Sequence, residues 1–330
     1  MLRHASRHGR SRVLCWRNSA KMFQMSKNIL ITGAQGFTGR HMAAEMSEAG
    51  YNVLGLTHGA SSADSSDSIT MLACDLLDRV GLAAVVAQAA PDFVVHLAGI
   101  AFVVHGDADA IYRTNVVGTR NLLEALTSNK HKPRKVLLAS SANVYGNTES
   151  GALDETYPPA PANDYAVSKL AMEYMARLWM DKLPIIIARP FNYTGVGQSE
   201  TFLIPKIVTH YARRAEMLEL GNLDVWRDFS DVRDLVLYYR MLLESGVAGE
   251  TYNLCSGRAW SLREVLDAIA GIAGYTIPVR VNPAFVRASE VKQLIGSRVK
   301  LDALLGISHH IDLPDTLRWM FSDAKLHVCS

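Results

Sequence analysis

The chain has 330 residues, 49% of them hydrophobic and 20% charged, enough for a substantial core and two lobes. No apolar run reaches the roughly 18 residues of a membrane helix, and Cys15, Cys74, Cys255 and Cys329 are scattered without the spacing of a zinc site or a disulfide framework, so no metal is expected and a reducing compartment fits best. The formal charge of +2 divides unevenly: residues 1–27 carry seven basic side chains and no acid, which leaves 27 basic against 32 acidic in the remainder, a net −5 that argues against nucleic acid as a partner. The basic extension reads as an upstream start or disordered tail, with Met25 opening the natural chain; a mitochondrial presequence is the alternative, and otherwise a cytoplasmic location is expected.

From residue 28 the pattern becomes regular. Asn28-Ile29-Leu30-Ile31-Thr32 is a short apolar run ending in Gly33-Ala34-Gln35-Gly36-Phe37-Thr38-Gly39, with a helical pattern through about Ala49 and a second strand over 51–56. Strand, glycine turn and helix in that order are the context of a dinucleotide-binding motif. The glycines allow a tight turn and let backbone N–H groups approach a pyrophosphate at the helix N-terminus. Residues 60–68 read as a flexible surface loop. Further strands are expected at 69–73, 92–97, 134–140 and 184–189, separated by helices at about 77–89, 108–130 and 163–181. That alternation predicts an α/β fold, a doubly wound parallel sheet of Rossmann type, over 28–191. A smaller C-terminal α/β lobe over 192–330 completes it, with some of its elements returning to the first domain. Ligands then bind at the carboxyl ends of the strands, where Asp75-Leu76, Leu97-Ala98-Gly99 and Ser140-Ser141 fall.

Tyr165 and Lys169 stand four apart at the start of the helix over 163–181, so both share one face. An ammonium beside a phenol is expected to lower its pKa toward neutrality and make it a usable acid and base. Spacing alone also fits a solvated helix face with a snorkelling lysine.

These features accumulate in a fixed order: the glycine turn, Asn115-Val116-Val117-Gly118-Thr119, Ser141-Ala142-Asn143-Val144-Tyr145-Gly146, Tyr165 with Lys169, and Arg189-Pro190-Phe191-Asn192. Over about residues 28–320 the chain resembles the extended short-chain dehydrogenase/reductase family, in its branch acting on nucleotide sugars. The resemblance implies that Tyr165 passes a proton to or from a sugar oxygen, that Lys169 holds the nicotinamide ribose, and that Ser141 hydrogen-bonds the reacting oxygen. Asn115 would support this group, with an ordinary helix-capping role as the alternative. Gly33, Gln35, Gly36, Phe37, Thr38, Gly39, Leu76, Leu97, Ala98 and Gly99 would line the cofactor, and Asp75 would meet the adenine amino group.

The same resemblance bears on the reaction. Dehydratases of this branch carry an Asp-Glu pair after the catalytic hydroxyl, where this chain has Ala142 and Asn143. Epimerase-reductases use a cysteine and a histidine where Asn143 and Gly197 stand. What remains is reduction of a keto sugar or 4-epimerisation; the segments 188–192 with 195–198, 227–232 and 252–257 resemble the branch that reduces the 4-keto group of a GDP-4-keto-6-deoxyhexose, which implies GDP-D-rhamnose or a close relative as product, with a UDP- or dTDP-sugar 4-epimerase or another ketoreductase as alternatives. A silent dinucleotide-binding regulator is disfavoured because Ser141, Tyr165 and Lys169 are all present. The second strand ends in Thr57-His58-Gly59 with no acid to bind the adenosine ribose, and Arg40 adjoins the glycine turn, so NADPH is expected with NADH tolerated. Substrate contacts are expected from Asn143, Asn192, Lys206, Arg227, Arg287 and Glu290, while Trp226 and Trp260 read as packing residues. Family members dimerise through a four-helix bundle, which implies a homodimer here.

Overall fold

The computed structural model describes residues 27–59, 69–101, 107–148, 151–285, 293–306 and 310–328. The basic extension before Lys27, the loop over 60–68, and Arg287 and Glu290 lie outside the described residues. Along the first half run β1 (Asn28–Thr32), α1 (Phe37–Glu48), β2 (Asn52–Thr57), β3 (Ile69–Ala73), α2 (Arg79–Ala89), β4 (Phe93–His96), α3 (Ala108–Tyr112), α4 (Thr119–Ser128), β5 (Lys135–Ala139), α5 (Asp164–Arg177) and β6 (Ile185–Pro190). The second half contributes β7 (Asn192–Thr194), α6 (Leu203–Ala212), β8 (Leu218–Leu220), β9 (Trp226–Asp231), α7 (Val232–Ser245), β10 (Thr251–Leu254), β11 (Ala259–Ser261), α8 (Leu262–Ala273), β12 (Val279–Val281), β13 (Gln293–Leu294), α9 (Val299–Leu305) and α10 (Leu313–Val328).

Seven strands form one parallel sheet in the order β10-β6-β5-β4-β1-β2-β3. Its central strands are buried along nearly their whole length, which is why they read as unbroken apolar runs rather than alternating ones. One face packs against Met42 and Met46 of α1 and Leu235, Tyr239 and Leu242 of α7. The other packs against Leu82 and Val86 of α2, Leu122 and Leu126 of α4, and Met172 and Ala176 of α5. The sheet reverses its order between β1 and β4, and this places the carboxyl ends of β1, β4 and β5 around one crevice.

The second half lends α7 and β10 to this layer. Phe191 N–H donates to the Leu254 carbonyl at 2.8 Å, so the chain leaves the sheet beside the point where it later re-enters. Its own core is separate: α6, α8 and α10 close over β8, β9 and β11 through Ile207, Val265, Ile269 and Leu317. Among the described residues no helix is long and apolar enough to cross a membrane.

One element departs from the expected uninterrupted helix at 108–130. Between α3 and α4 the backbone widens into a π-helical turn over Arg113–Gly118. Around it the Thr119 hydroxyl donates to the Asn115 carbonyl at 2.7 Å, and the Asn115 side chain accepts the Ile100 amide. Such wide turns recur where a helix must present one side chain out of phase.

Candidate active site

At the end of β1, Gly33 has φ +71°, and a Cβ on it would stand 2.9 Å from the Ala98 nitrogen. Gly39 lies closer still, since a Cβ there would come within 2.1 Å of the Gly33 carbonyl oxygen. These two positions require glycine: one for its left-handed backbone, the other for the contact between α1 and the turn. Gly36 caps α1 without a side-chain hydrogen bond, and the first amides of a helix uncapped in this way are suited to an anion. The turn is tied to the second half of the chain. Phe37 stacks on Tyr193 at 6.1 Å between ring centres, the Thr38 and Tyr193 hydroxyls lie 2.9 Å apart, and His41 meets the Val196 carbonyl.

Arg40 donates to the Gln35 and Gly197 carbonyls at 2.8 and 3.1 Å, so its guanidinium bridges the turn and the second lobe at the surface. Gln35 accepts the Thr57 hydroxyl. At the end of β2, His58 faces Asp75 at 3.3 Å, both largely open to solvent. Asp75 also accepts the Leu77 amide, and the Leu76 carbonyl accepts the Asn121 side chain.

Across the crevice, α5 begins at Asn163, whose side chain accepts the Ala166 amide at 2.9 Å. Its first turn brings the Tyr165 phenol beside the Ser141 hydroxyl. Ser141, buried at the end of the β5 segment, also accepts the Asn143 amide at 3.2 Å. The expected lowering of the phenol is not found. Burial pushes Tyr165 up to about 12, and the Ser141 hydroxyl only partly opposes it. The reason lies one turn further on: Lys169 is buried and aims its ammonium at the Ala139 carbonyl, 2.9 Å away, rather than at the phenol. Burial in turn lowers Lys169 to about 8, against the opposing field of Glu173.

Asn115 is fully buried inside the π turn, not at a helix cap. Its side chain accepts the Ile100 amide at 2.9 Å, donates to the Ile100 carbonyl at 3.2 Å and donates to Ser168 Oγ at 3.0 Å. Gly99 fits between: a Cβ there would stand 2.9 Å from Asn115 Oδ1 and 3.2 Å from Lys169 Nζ. Ser141, Tyr165 and Lys169 therefore gather into one wall beside Leu97-Ala98-Gly99, with Asn115 buried behind Gly99.

Sequence reasoning missed what stands behind that wall. Glu173, one turn past Lys169 and fully buried, accepts the Ser140 hydroxyl and a two-pronged pair from Arg189 at 2.9 and 2.6 Å. Arg189 also donates to Tyr145 Oη at 3.0 Å, and Tyr145 donates to Asn253 Oδ1 at 2.7 Å. A lone arginine inside the apolar run Ile185-Ile186-Ile187-Ala188-Arg189 was the signal, because a buried guanidinium demands a carboxylate.

The substrate candidates of the second half are spread wider. Asn192 donates to the Asp228 carbonyl at 3.3 Å, and Arg227 beside it donates to the Trp226 carbonyl at 2.9 Å. Lys206 bonds the Glu219 carbonyl at 2.8 Å, with its ammonium 4.5 Å from the Phe285 ring centre. Asn143 is exposed on the turn after Ser141. Trp260 is buried as expected, but Trp226, at the start of β9 and paired with Ser261 and Gln293 on either side, is 40% exposed. The buried carboxylate of Asp228 gathers Ser256, Gly257 and Gly296 amides at 2.7, 2.9 and 3.2 Å and fixes that rim from beneath. Among the described residues no cluster could hold a metal ion.

A parallel sheet with a glycine turn at its first crossover, and a Ser, Tyr and Lys set at a neighbouring strand end, defines an NAD(P)-dependent oxidoreductase. The chain belongs to the NAD dependent epimerase/dehydratase family, whose model matches residues 29–255. It is 34% identical over 92% of its length, and 99% of the relative's, to a GDP-6-deoxy-D-mannose reductase of Pseudomonas aeruginosa. It is 33% identical over 84% of its length, and 91% of the relative's, to a GDP-6-deoxy-D-talose 4-dehydrogenase of Aggregatibacter actinomycetemcomitans. Among solved structures, a Burkholderia cenocepacia protein provisionally described as an epimerase is 53% identical with a TM-score of 0.87, covering 91% of this chain and 99% of that one. RMD from Pseudomonas aeruginosa, complexed with NADPH, is 32% identical with a TM-score of 0.78, covering 91% and 100%.

Proposed function

We propose that this enzyme reduces the 4-keto group of a GDP-4-keto-6-deoxyhexose with NADPH, NADH being tolerated, to give GDP-D-rhamnose or its relative inverted at C4. The likeness to a GDP-6-deoxy-D-mannose reductase along nearly the full length of both chains carries this reading. Ala142 and Asn143, where a dehydratase needs its acid and base, support it. The glycine turn and uncapped α1 fit a dinucleotide pyrophosphate, and the bound nicotinamide supplies the hydride.

The chain's own groups do the rest. With its pKa held near 12, Tyr165 is a neutral phenol at physiological pH and gives its proton to the C4 oxygen as charge develops there. Ser141, beside Tyr165, supplies a second hydroxyl at that oxygen. Lys169 puts a fixed positive charge beneath the site, favouring the tyrosinate left after transfer until water reprotonates it, and Asn115 keeps Ile100 and Ser168 in place around it. In the second lobe, Arg227 and Asn192 would turn from their backbone carbonyls to the diphosphate, where a planar guanidinium matches two phosphate oxygens. Lys206 and Asn143 would contact the nucleotide and sugar, as Arg287 and Glu290 would. Val167, Tyr174 and Leu178, 38%, 55% and 75% exposed along one stripe of α5, suit a homodimer closed by a four-helix bundle. The free thiols of Cys74 and Cys255 suit a cytoplasmic enzyme.

Incubation with GDP-4-keto-6-deoxymannose should consume one NADPH per sugar reduced, and product analysis should assign the C4 configuration. Interconversion of UDP-hexoses without net NADPH consumption would establish a 4-epimerase instead.

A further inference from the structure

Between β1, β4 and the π turn lies a buried chain of hydrogen bonds with no solvent contact: Thr32, His96, Asn115 and Thr119 are all 0–1% exposed. Thr119 Oγ1 stands 2.7 Å from the Asn115 carbonyl oxygen. Two oxygens at that distance need a proton between them, and the carbonyl has none, so Thr119 is the donor. Its oxygen can then only accept from His96 Nε2, 2.8 Å away, which must carry a hydrogen. At the other end, Thr32 Oγ1 accepts the Ala98 amide at 3.1 Å, and its own proton is left for His96 Nδ1 at 2.7 Å. Every donor and acceptor is used in one direction, from the Ala98 amide through Thr32, His96 and Thr119 to the Asn115 carbonyl.

We propose that His96, fixed as the neutral Nε2–H tautomer, is a positioning residue that sets the spacing between the Ala98-Gly99 segment and the Asn115 turn, and so the seat of Lys169. This rests on the reading of that wall as the cofactor-facing side of the active site. Thr32 leads directly into Gly33, and Gly99 fits against both Asn115 Oδ1 and Lys169 Nζ, so the chain joins the glycine turn to the catalytic wall through one ring. A second ring proton would face Thr32, whose hydroxyl hydrogen would then lose its acceptor. Burial and, after it, the ammonium of Lys169 hold the imidazole down to about 3, in keeping with a ring that stays neutral.

The test uses the full chain, in two arms. In protein labelled with 15N-histidine, with His96 assigned through His96→Gln, the ring should show Nε2–H and an unprotonated Nδ1 throughout about pH 5 to 8, where free histidines titrate. An Nδ1–H tautomer, or titration in that range, overturns the proposal. In the second arm, Thr119→Val removes only the hydroxyl and Thr119→Ser keeps it. Thr119→Val, confirmed folded by circular dichroism, should weaken NADPH binding about tenfold, while Thr119→Ser stays within about twofold of the parent. Equal affinities for the two variants overturn it. Since NADPH binding needs no sugar substrate, this arm decides the role of His96 independently; failure of the parent enzyme to oxidise NADPH with the keto-sugar would count against the proposed function alone.

Discussion

The wall built from β5, β6 and α5 keeps its charges in the interior, whereas the rim supplied by the second lobe keeps its cations toward the surface. Lys169, Glu173 and Arg189 are buried and paired or hydrogen-bonded. Arg227 and Lys206 instead rest their heads on nearby backbone carbonyls, and Trp226 opens toward solvent beside them. A buried charged network is costly unless every group is satisfied, but once satisfied it hardly moves. Surface cations can leave a carbonyl for a phosphate at small cost. Chemistry and recognition are thus assigned to different physical regimes: the reacting groups are preorganised, and the groups that grip the nucleotide are adjustable.

The sharpest way to test this contrast is at the proton donor. Tyr165→Phe should lower kcat about a thousandfold, within the range of a lost general acid, and leave the NADPH Kd nearly unchanged. Near-normal turnover would remove Tyr165 from the chemistry. Next comes Glu173→Ala, which strands Arg189 in the interior and should cost about 3–5 kcal/mol in urea unfolding. A loss as small as that of a surface substitution would show that the wall is not held by this pair. Arg227→Ala should do the reverse: stability within about 0.5 kcal/mol of the parent, but a sugar-nucleotide KM raised about ten- to a hundredfold, the worth of a charge-assisted hydrogen bond.

The mildest effect is in pH. Lys169 in the folded protein sits near 8, below the ordinary lysine value of 10.5. Folded protein therefore releases this proton first, the unfolded chain holds more protons between those values, and this group's contribution to stability rises with pH across that window. Activity should move oppositely, kcat falling as pH passes 8 and the ammonium is lost, while Tyr165 titrates too high to appear. A kcat profile flat to pH 9, alongside unchanged stability, would mean that Lys169 stays charged in its seat.

Much of this was legible before any coordinates, and the reason is chemical. Apolar runs such as Ile29-Leu30-Ile31 can only be buried parallel strands when glycine turns and helices separate them, and the sheet contains each expected strand to within a residue or so at either end. Ser141, Tyr165 and Lys169 could be grouped because they stand in the motif order of the short-chain dehydrogenase/reductase family that the chain resembles, and a carbonyl reduction can use those functions. What could not be read was anything set by a partner distant in sequence. His96 ends an apolar strand and gives no sign that Thr32 and Thr119 enclose it. The pKa of Tyr165 was misjudged because spacing shows that Lys169 is near but not that its ammonium points to Ala139. Trp226 was taken for packing because strand patterning does not say which face of a short sheet is left uncovered.

The π turn at Arg113–Gly118 has a consequence for how this segment can vary in length. A single extra residue in a helix rotates everything beyond it by about 100°. Within the turn Asn115 must look toward Ile100 and Ser168; downstream, Leu122 and Leu126 must look into the sheet. A regular helix cannot serve both directions with this sequence. Deleting Val116 or Val117 would tighten the helix into an ordinary one and look harmless by propensity, yet it would aim either the asparagine or the leucines the wrong way. The segment behaves as a phase joint whose residue count is fixed on both sides, and loss of one residue there should be far less tolerated than any single side-chain change along the same helix.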